Sequence, residues 1–271
     1  MTRVLVLRSP GTNCDEETAH AFSLAGCDAE RIHVGEVIRR ERRLEEFDVL
    51  ALPGGFAFGD DLGAGTVLAN RLRSRLADDL RAFVDSGRLV IGICNGFQVL
   101  VRLGLLPGWE GEKAVSLVHN ASGKFEDRWV GLRIESPDCP FLAAESEKRA
   151  IRLPVAHGEG RFVARDPEVL ERLEAGGQVA IRYASLRDPA RLAEGYPDNP
   201  NGSVNAIAGI TNPAGNVLGL MPHPERHIYP WNDPGWTRRR AEGESLDPAE
   251  PLGDGFLFFA GAARHARAAG R

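Results

Sequence analysis

The sequence predicts an α/β protein in which a doubly wound, mainly parallel sheet is extended by antiparallel strands. Over the first hundred residues, short apolar runs alternate with helix-like segments, which is the pattern of parallel strands joined by covering helices. Beyond Pro107, strand-like runs follow one another with little helix between them, which favours antiparallel neighbours. The 271 residues are expected to fold as a single domain, 1–271.

The first half of the chain supplies the parallel strands and their helices. Arg3–Leu7 is the first predicted strand, and the acidic run Asp15–Glu17 after it is typical of a helix N-terminus. Ile32–Val34 predicts a weak second strand and Asp48–Leu52 a stronger third. A long amphipathic helix before Gly87 is then predicted by apolar residues that recur every four positions, namely Leu68, Leu72, Leu76, Leu80 and Val84.

The second half is richer in strands. Three runs are predicted to extend the sheet as antiparallel strands, namely Val115–Val118, Trp129–Ile134 and Ile151–Val155. Ala206–Ile210 and Val217–Leu220 predict a hairpin, because turn-forming residues join them. Pro, Gly and charged residues predict a surface insertion near 229–254, and Gly255–Arg267 predicts a terminal helix.

Composition excludes several classes of function. A net charge of −5 provides no basic field for nucleic acid, and Arg238–Arg240 is interpreted as solvated surface. No apolar run approaches the length of a membrane span, and no secretory signal is present, so we expect a cytoplasmic protein. The four cysteines show no C-x-x-C pair and no zinc spacing, which predicts free thiols and no metal site.

The segment Arg88–Leu100 predicts a strand, a sharp turn and a helix, with Gly-Ile-Cys-Asn-Gly at the turn. This is the form of a nucleophile elbow with Cys94 in place of serine. A cysteine there would lie at a helix N-terminus, where the dipole favours the reactive thiolate. The pattern alone is equally compatible with a small buried hydrophobe at a tight turn.

Two further segments contain residues suited to catalysis. The pair Gly54-Gly55 directly follows a strand and can leave backbone N–H groups free for an oxyanion, although a flexible loop would have the same composition. Pro222-His223-Pro224-Glu225 places an imidazole beside a carboxylate, a base and its orienting group. His157, in His-Gly-Glu-Gly, is compatible with a ligand, a base or a structural hydrogen-bonding group.

Taken together, these motifs resemble those of class I (triad-type) glutamine amidotransferases. The resemblance extends from Gly11-Thr12-Asn13-Cys14-Asp15 to Arg226 and combines Gly-Ile-Cys-Asn-Gly-Phe-Gln with Pro-His-Pro-Glu-Arg. Within the family, the chain is most similar to members of purine biosynthesis whose glutaminase is a separate subunit. The resemblance implies a flavodoxin-like amidotransferase domain.

The resemblance also implies a role for each matching residue. Cys94 would attack the carboxamide of glutamine, His223 would act as base and acid, and Glu225 would orient His223. Backbone N–H groups near the Gly54-Gly55 pair and near Asn95 would hold the oxyanion, and Gln98 would contact the substrate. Ammonia would pass to a separate synthetase subunit that uses ATP and Mg²⁺, often joined by a small bridging subunit. This chain has no P-loop motif of its own, and no cofactor is expected in it.

Two departures limit the resemblance. The loop Phe56–Gly63 lacks the Ser-Tyr and later Arg of many relatives, and Tyr183–Ser203 and Tyr229–Asp254 lengthen the chain beyond the most compact ones. The alternatives are a stand-alone Cys hydrolase of the related doubly wound class, a peptidase or deglycase, and an amidotransferase subunit for another acceptor. A catalytically silent regulatory subunit is disfavoured, because Cys94, His223 and Glu225 are all present.

Overall fold

A nine-stranded sheet and a separate two-stranded sheet organise the fold. The computed structural model describes residues 1–136, 139–142, 150–186, 188, 191–243 and 253–270. In chain order, the strands are β1 (Arg3–Arg8), β2 (Asp28–His33), β3 (Val49–Leu52), β4 (Leu89–Ile93), β5 (Val115–Val118), β6 (Glu126–Ile134), β7 (Ala150–His157), β8 (Arg161–Ala164), β9 (Val179–Ala184), β10 (Ile207–Thr211) and β11 (Val217–Leu220). The α-helices are α1 (Asp15–Leu24), α2 (Val34–Ile38), α3 (Thr66–Asp85), α4 (Asn95–Leu103), α5 (Pro167–Ala175), α6 (Trp236–Ala241) and α7 (Phe256–Ala268).

The main sheet has the order β2–β1–β3–β4–β11–β10–β9–β6–β7. The first five strands in this order are parallel, and the last four add on through antiparallel pairs. The parallel part has the flavodoxin-like arrangement, with a fifth strand, β11, supplied from late in the chain. The prediction of a doubly wound, mainly parallel sheet with an antiparallel extension is therefore confirmed.

The burial of the strands follows from this topology. Helices α1 and α7 pack together, and the ring centroids of Phe22 and Phe259 are 4.9 Å apart in an edge-to-face contact. Helix α3 packs against α4. Strands β3 and β4 are buried at every position, as parallel strands covered on both faces must be. Strand β7 alternates between buried and partly exposed residues, so one of its faces reaches solvent.

The predicted strand, turn and helix around Cys94 are confirmed. Strand β4 ends at Ile93 and α4 begins at Asn95, so that Cys94 alone makes the turn. A Cβ atom on Gly96 would lie 1.9 Å from the carbonyl oxygen of Leu52, and one on Gly92 would lie 2.7 Å from that of Gly96. Both glycines are therefore required by close backbone approach.

The sequence-based prediction of the strands needs one correction. Val115–Val118 was predicted to extend the main sheet, but β5 instead pairs with β8 in the separate two-stranded sheet. Residues 115–118 alternate in burial like any antiparallel strand, and only the partner, more than 40 residues later, decides which sheet they join.

Five strands and helices were not predicted, namely β8, β9, α2, α5 and α6. Strand β9 interrupts its apolar run with Arg182, whose guanidinium group is buried through ion pairs with Glu174 and Glu135. Tyr183, the predicted start of an added segment, is a fully buried residue of this strand. Helix α5 has a recognisable start, because Asp166 caps it at 2.8 Å from Val169 N and Pro167 follows.

Part of the predicted insertion near 229–254 lies outside the described residues, namely 244–252. The described part contains α6 and a short 3₁₀ turn at Pro230–Asn232. Asp233, at its centre, is fully buried, and its carboxylate lies 3.6 Å from the guanidinium groups of both Arg152 and Arg239. Across the described ranges, no helix is both long and apolar enough to cross a bilayer.

Candidate active site

Cys94 is held in a conformation that few side chains adopt. Its backbone has φ 51° and ψ −103°, and its N–H donates to the carbonyl of Leu220 at 2.8 Å. Such a strained residue persists only where its surroundings over-determine it, as at functional sites. The thiol is 3.6 Å from the carbonyl oxygen of Ala156 and lies beside a cavity of about 170 Å³.

His223 and Glu225 form a buried pair in the loop after β11. Nδ1 of His223 is 2.6 Å from Oε1 of Glu225, and both side chains are almost completely buried. This contact occupies Nδ1, and Nε2 has no hydrogen-bond partner among the described residues. Burial disfavours the imidazolium ion, but Glu225 and the neighbouring Cys94 outweigh burial and raise the pKa of His223 well above its ordinary value.

The topology explains why this pair and Cys94 meet. Strands β4 and β11 are parallel neighbours, with Leu220 in register with Ile93. Their carboxyl ends therefore reach the same edge of the sheet, which delivers Cys94 and His223 side by side although 128 residues separate them in sequence.

The Gly54-Gly55 pair lies at the same edge, separated from the end of β3 only by Pro53. A Cβ atom on Gly54 would lie 2.6 Å from Cε1 of His223, so only glycine fits beside the imidazole. Gly55 has φ +140°, and its N–H has no backbone acceptor in the described part of the chain. The carbonyl of Gly54 accepts from the N–H groups of Asn13 and Cys14, which holds the loop in this orientation. A free N–H beside a nucleophile is what an oxyanion needs, and Gly55 and Cys94 line the same cavity.

The side chains of Asn95 and Gln98 are occupied by internal contacts. Asn95 Oδ1 accepts from the N–H of Ala57, and Nδ2 donates to Asp60 and to Gln98 Oε1. Gln98 Nε2 donates to the carbonyl of Glu159 at 2.7 Å. The backbone N–H of Asn95 is the first of α4, where helix N–H groups have no intrahelical acceptor. Both residues therefore also position the loops around the cavity.

His157 is held as a neutral acceptor. The Nδ2 group of Asn120 donates to the carbonyls of His157 and Lys124, so its Oδ1 must accept from Nδ1–H of His157 at 3.1 Å. Nε2 of His157 then carries a lone pair and has no partner within the described ranges. Burial lowers the pKa of His157 to about 3, with a smaller contribution from His223. The neutral imidazole of His157, with its lone pair at Nε2, is therefore favoured near neutral pH.

Cys14 and Arg226 also contact the site, although the sequence analysis gave them no role. The Cys14 thiol is 4.0 Å from Nδ1 of His223, and the Arg226 guanidinium group donates to its sulfur at 3.1 Å. Burial raises the pKa of the Cys14 thiol. Cys14 directly precedes α1 and has no motif around it that indicates a nucleophile, so only the fold could reveal its position.

The His223–Glu225 pair predicts a pH dependence of folding stability. Because the pKa of His223 is raised above 6.5, the protonated pair stabilises the fold fully below that pH and loses its contribution as the pH rises through the raised pKa. Glu225→Gln should therefore cost roughly 1.5–3 kcal/mol near pH 6, and less at high pH. Urea unfolding of both proteins across this range measures the effect, and a deficit that grows with pH would contradict it.

Comparisons with known proteins agree with this geometry. A family model described as a CobB/CobQ-like glutamine amidotransferase domain matches residues 1–263. Phosphoribosylformylglycinamidine synthase subunit PurQ of Dehalococcoides mccartyi is 43% identical over 270 residues, which are 98% of each protein. A protein of the same name from Thermus thermophilus is 45% identical over 83% of this chain and 90% of its own.

Solved structures give the same result. The structure of PurLQS from Thermotoga maritima matches with a TM-score of 0.70 and 32% identity, covering 97% of both chains. The glutaminase domain of Trypanosoma brucei CTPS, at 15% identity and a TM-score of 0.53, covers 97% of this chain and 94% of its own and shares the fold alone. The chain belongs to the CobB/CobQ-like glutamine amidotransferase family, and within it to the PurQ subunits of phosphoribosylformylglycinamidine synthase.

Proposed function

We propose that this chain is the glutaminase subunit of phosphoribosylformylglycinamidine synthase and hydrolyses glutamine to glutamate and ammonia. The observation that carries the proposal is that the strained Cys94 lies at the same sheet edge as the buried His223–Glu225 pair. In that pair, Nδ1 of His223 is 2.6 Å from Oε1 of Glu225. Glu225 holds Nδ1 of His223 and so leaves Nε2 for proton transfer.

In the first half of the reaction, the Cys94 thiolate attacks the carboxamide carbon of glutamine and forms a C–S bond. The N–H groups of Gly55 and Asn95 stabilise the oxyanion of the tetrahedral intermediate. The C–N bond then breaks, and Nε2–H of the His223 imidazolium gives its proton to the leaving nitrogen, so that ammonia departs and a γ-glutamyl thioester remains.

In the second half, water attacks the thioester. Neutral His223 accepts the proton of the water at Nε2, and the resulting imidazolium ion supports the departing Cys94 thiolate. Glutamate leaves and the starting ion pair is restored. Gln98 lines the cavity that receives glutamine, and its contact with Glu159 keeps that wall in place.

The ammonia requires a partner. We propose that a PurL-like synthetase subunit, which uses ATP and Mg²⁺, consumes it to make formylglycinamidine ribonucleotide in purine biosynthesis in the cytoplasm, and that a small PurS-like subunit bridges the two. No cofactor is proposed for this chain itself. The names of the relatives, PurQ and PurLQS, support this assignment.

The loop after Gly55 is a suitable point of control by the partner. Phe58, Asp60 and Leu62 all have positive φ, and the side chains of Phe56 and Leu62 are exposed. A loop that stores backbone strain and presents apolar side chains can shift when a partner binds. Because one misplaced oxyanion donor costs on the order of 10²–10³ in rate, a small shift at Gly55 would switch the activity.

The test is reconstitution with the cognate synthetase subunit. We expect weak glutaminase activity from the isolated chain, and a kcat raised by on the order of 10² or more when synthetase and nucleotide are added, with glutamine-dependent amidine formation. Ammonia release and amidine are measured together. Full-speed hydrolysis by the isolated chain, unchanged by the partner, would favour the stand-alone Cys hydrolase.

A further inference from the structure

The cavity beside Cys94 is rich in hydrogen-bond acceptors, and its lining includes the histidines His119 and His157. It contains the carboxylates of Asp60 and Glu159, and none of the described residues that line it is lysine or arginine. His157, which is 2% exposed, lines the same cavity, and its Nε2 has no partner among the described residues. The cavity is therefore suited to a ligand with several N–H donors and a positive charge.

Asp60 already accepts hydrogen bonds from other groups of the chain. Its Oδ1 accepts from the N–H of Gly65 at 3.2 Å and from Asn95 Nδ2 at 2.9 Å. Burial raises the pKa of Asp60, and the nearby charge of Glu159 raises it further. The two carboxylates thus repel each other across the cavity, and a cation between them would relieve that repulsion.

Glu159 has a fixed backbone and an available side chain. Its carbonyl accepts from Gln98 Nε2 at 2.7 Å, whereas its Oε2 accepts only a long contact of 3.4 Å from the N–H of Ala64. Glu159 forms no ion pair with any residue in the described ranges. Arg102 is close by, but its guanidinium group donates to the carbonyl of Ala64 and is not among the residues that line the cavity.

We infer that Glu159 binds the α-ammonium group of glutamine and is a specificity-determining residue. The inference rests on the proposed glutaminase function, because it starts from a carboxamide placed at Cys94. The ammonium group lies at the opposite end of the substrate from the carboxamide, and Glu159 lines the same cavity as Cys94. A charge-assisted hydrogen bond to a carboxylate is the interaction that separates glutamine from carboxamides without an amino group.

The test combines a variant with a matched substrate. Glu159→Gln keeps one oxygen that can accept from the N–H of Ala64, but it removes the charge and replaces the other oxygen with an NH2 donor. In the complex with the synthetase, kcat/KM for glutamine should fall roughly 10–100-fold, mainly through KM. For glutaramate, which is glutamine without its α-amino group, kcat/KM should stay within about threefold of wild type. Glu171→Gln, on the exposed face of α5, is the control and should change neither substrate.

Three results would decide against the inference or its premise. An equal loss on glutamine and glutaramate would show that Glu159 only supports the structure, and an unchanged KM for glutamine would show that it does not contact the ammonium group. Either result would leave the glutaminase function intact. If the wild-type complex released no ammonia from glutamine, the proposed function would itself be wrong.

Discussion

Replacing Cys94 with alanine should abolish glutamine hydrolysis while the reconstituted complex still uses free ammonium. Only a thiolate at the elbow can form the thioester, so the expected loss is on the order of 10⁴–10⁶ in kcat. The synthetase reaction needs ammonia and not the thiol, and the small alanine side chain fits wherever cysteine fits. Ammonia release from glutamine and amidine formation from ammonium chloride are the two measurements.

The neighbouring thiol provides the control for this experiment. Cys14→Ala removes a buried thiol 4.0 Å from His223 but leaves the nucleophile in place, so it should retain measurable glutaminase activity and form the thioester. Undiminished glutamine hydrolysis by Cys94→Ala would refute the assignment of the nucleophile. Loss of ammonium-dependent synthesis in Cys94→Ala would instead indicate that the substitution disrupts the complex.

His223→Ala should cost more activity than Glu225→Ala. His223 must deliver a proton to the leaving nitrogen and later accept one from water, whereas Glu225 contributes orientation and charge through its 2.6 Å contact with Nδ1. We expect His223→Ala to lower kcat by a factor on the order of 10⁴–10⁶. The factor lost in Glu225→Ala should be about 10–100-fold smaller than the factor lost in His223→Ala.

The same pair of variants also tests whether His223 and Glu225 act as one unit and whether His223 is the acid. Thioester formation in a single turnover, measured beside steady-state hydrolysis, shows whether the imidazole is needed for both halves of the reaction. Equal losses in the two variants would mean that the pair acts as one unit, and a larger loss from Glu225→Ala would point to a different acid. Glu171→Gln again serves as the surface control.

Local patterns predict much of the candidate site. The elbow at Cys94, the glycines at 54 and 55, and the pair His223 and Glu225 are all predicted from the sequence. Each carries its signal in a few adjacent residues, because a tight turn needs glycine and a proline-flanked loop holds a base beside its partner.

Other parts of the site had no local signal. Nothing in the sequence distinguishes Cys14 from a buried helix-capping residue, and the carboxylates of Asp60 and Glu159 are nearly one hundred positions apart. His157 could not be assigned from its motif, because its tautomer depends on Asn120, in a loop before β6. These properties arise from long-range hydrogen bonds, which a single sequence does not display.

By itself, the sequence determined the fold class, the strand, turn and helix around Cys94, and the residues capable of the chemistry, because hydrophobic periodicity and turn-forming residues act over a few positions. The tertiary structure decided which of these residues meet. It placed β11 beside β4, which brings His223 to Cys94, and it paired β5 with β8 outside the main sheet. Strand pairing joins backbone groups that are distant in the chain, so the choice of partner is made by the packing of the whole sheet.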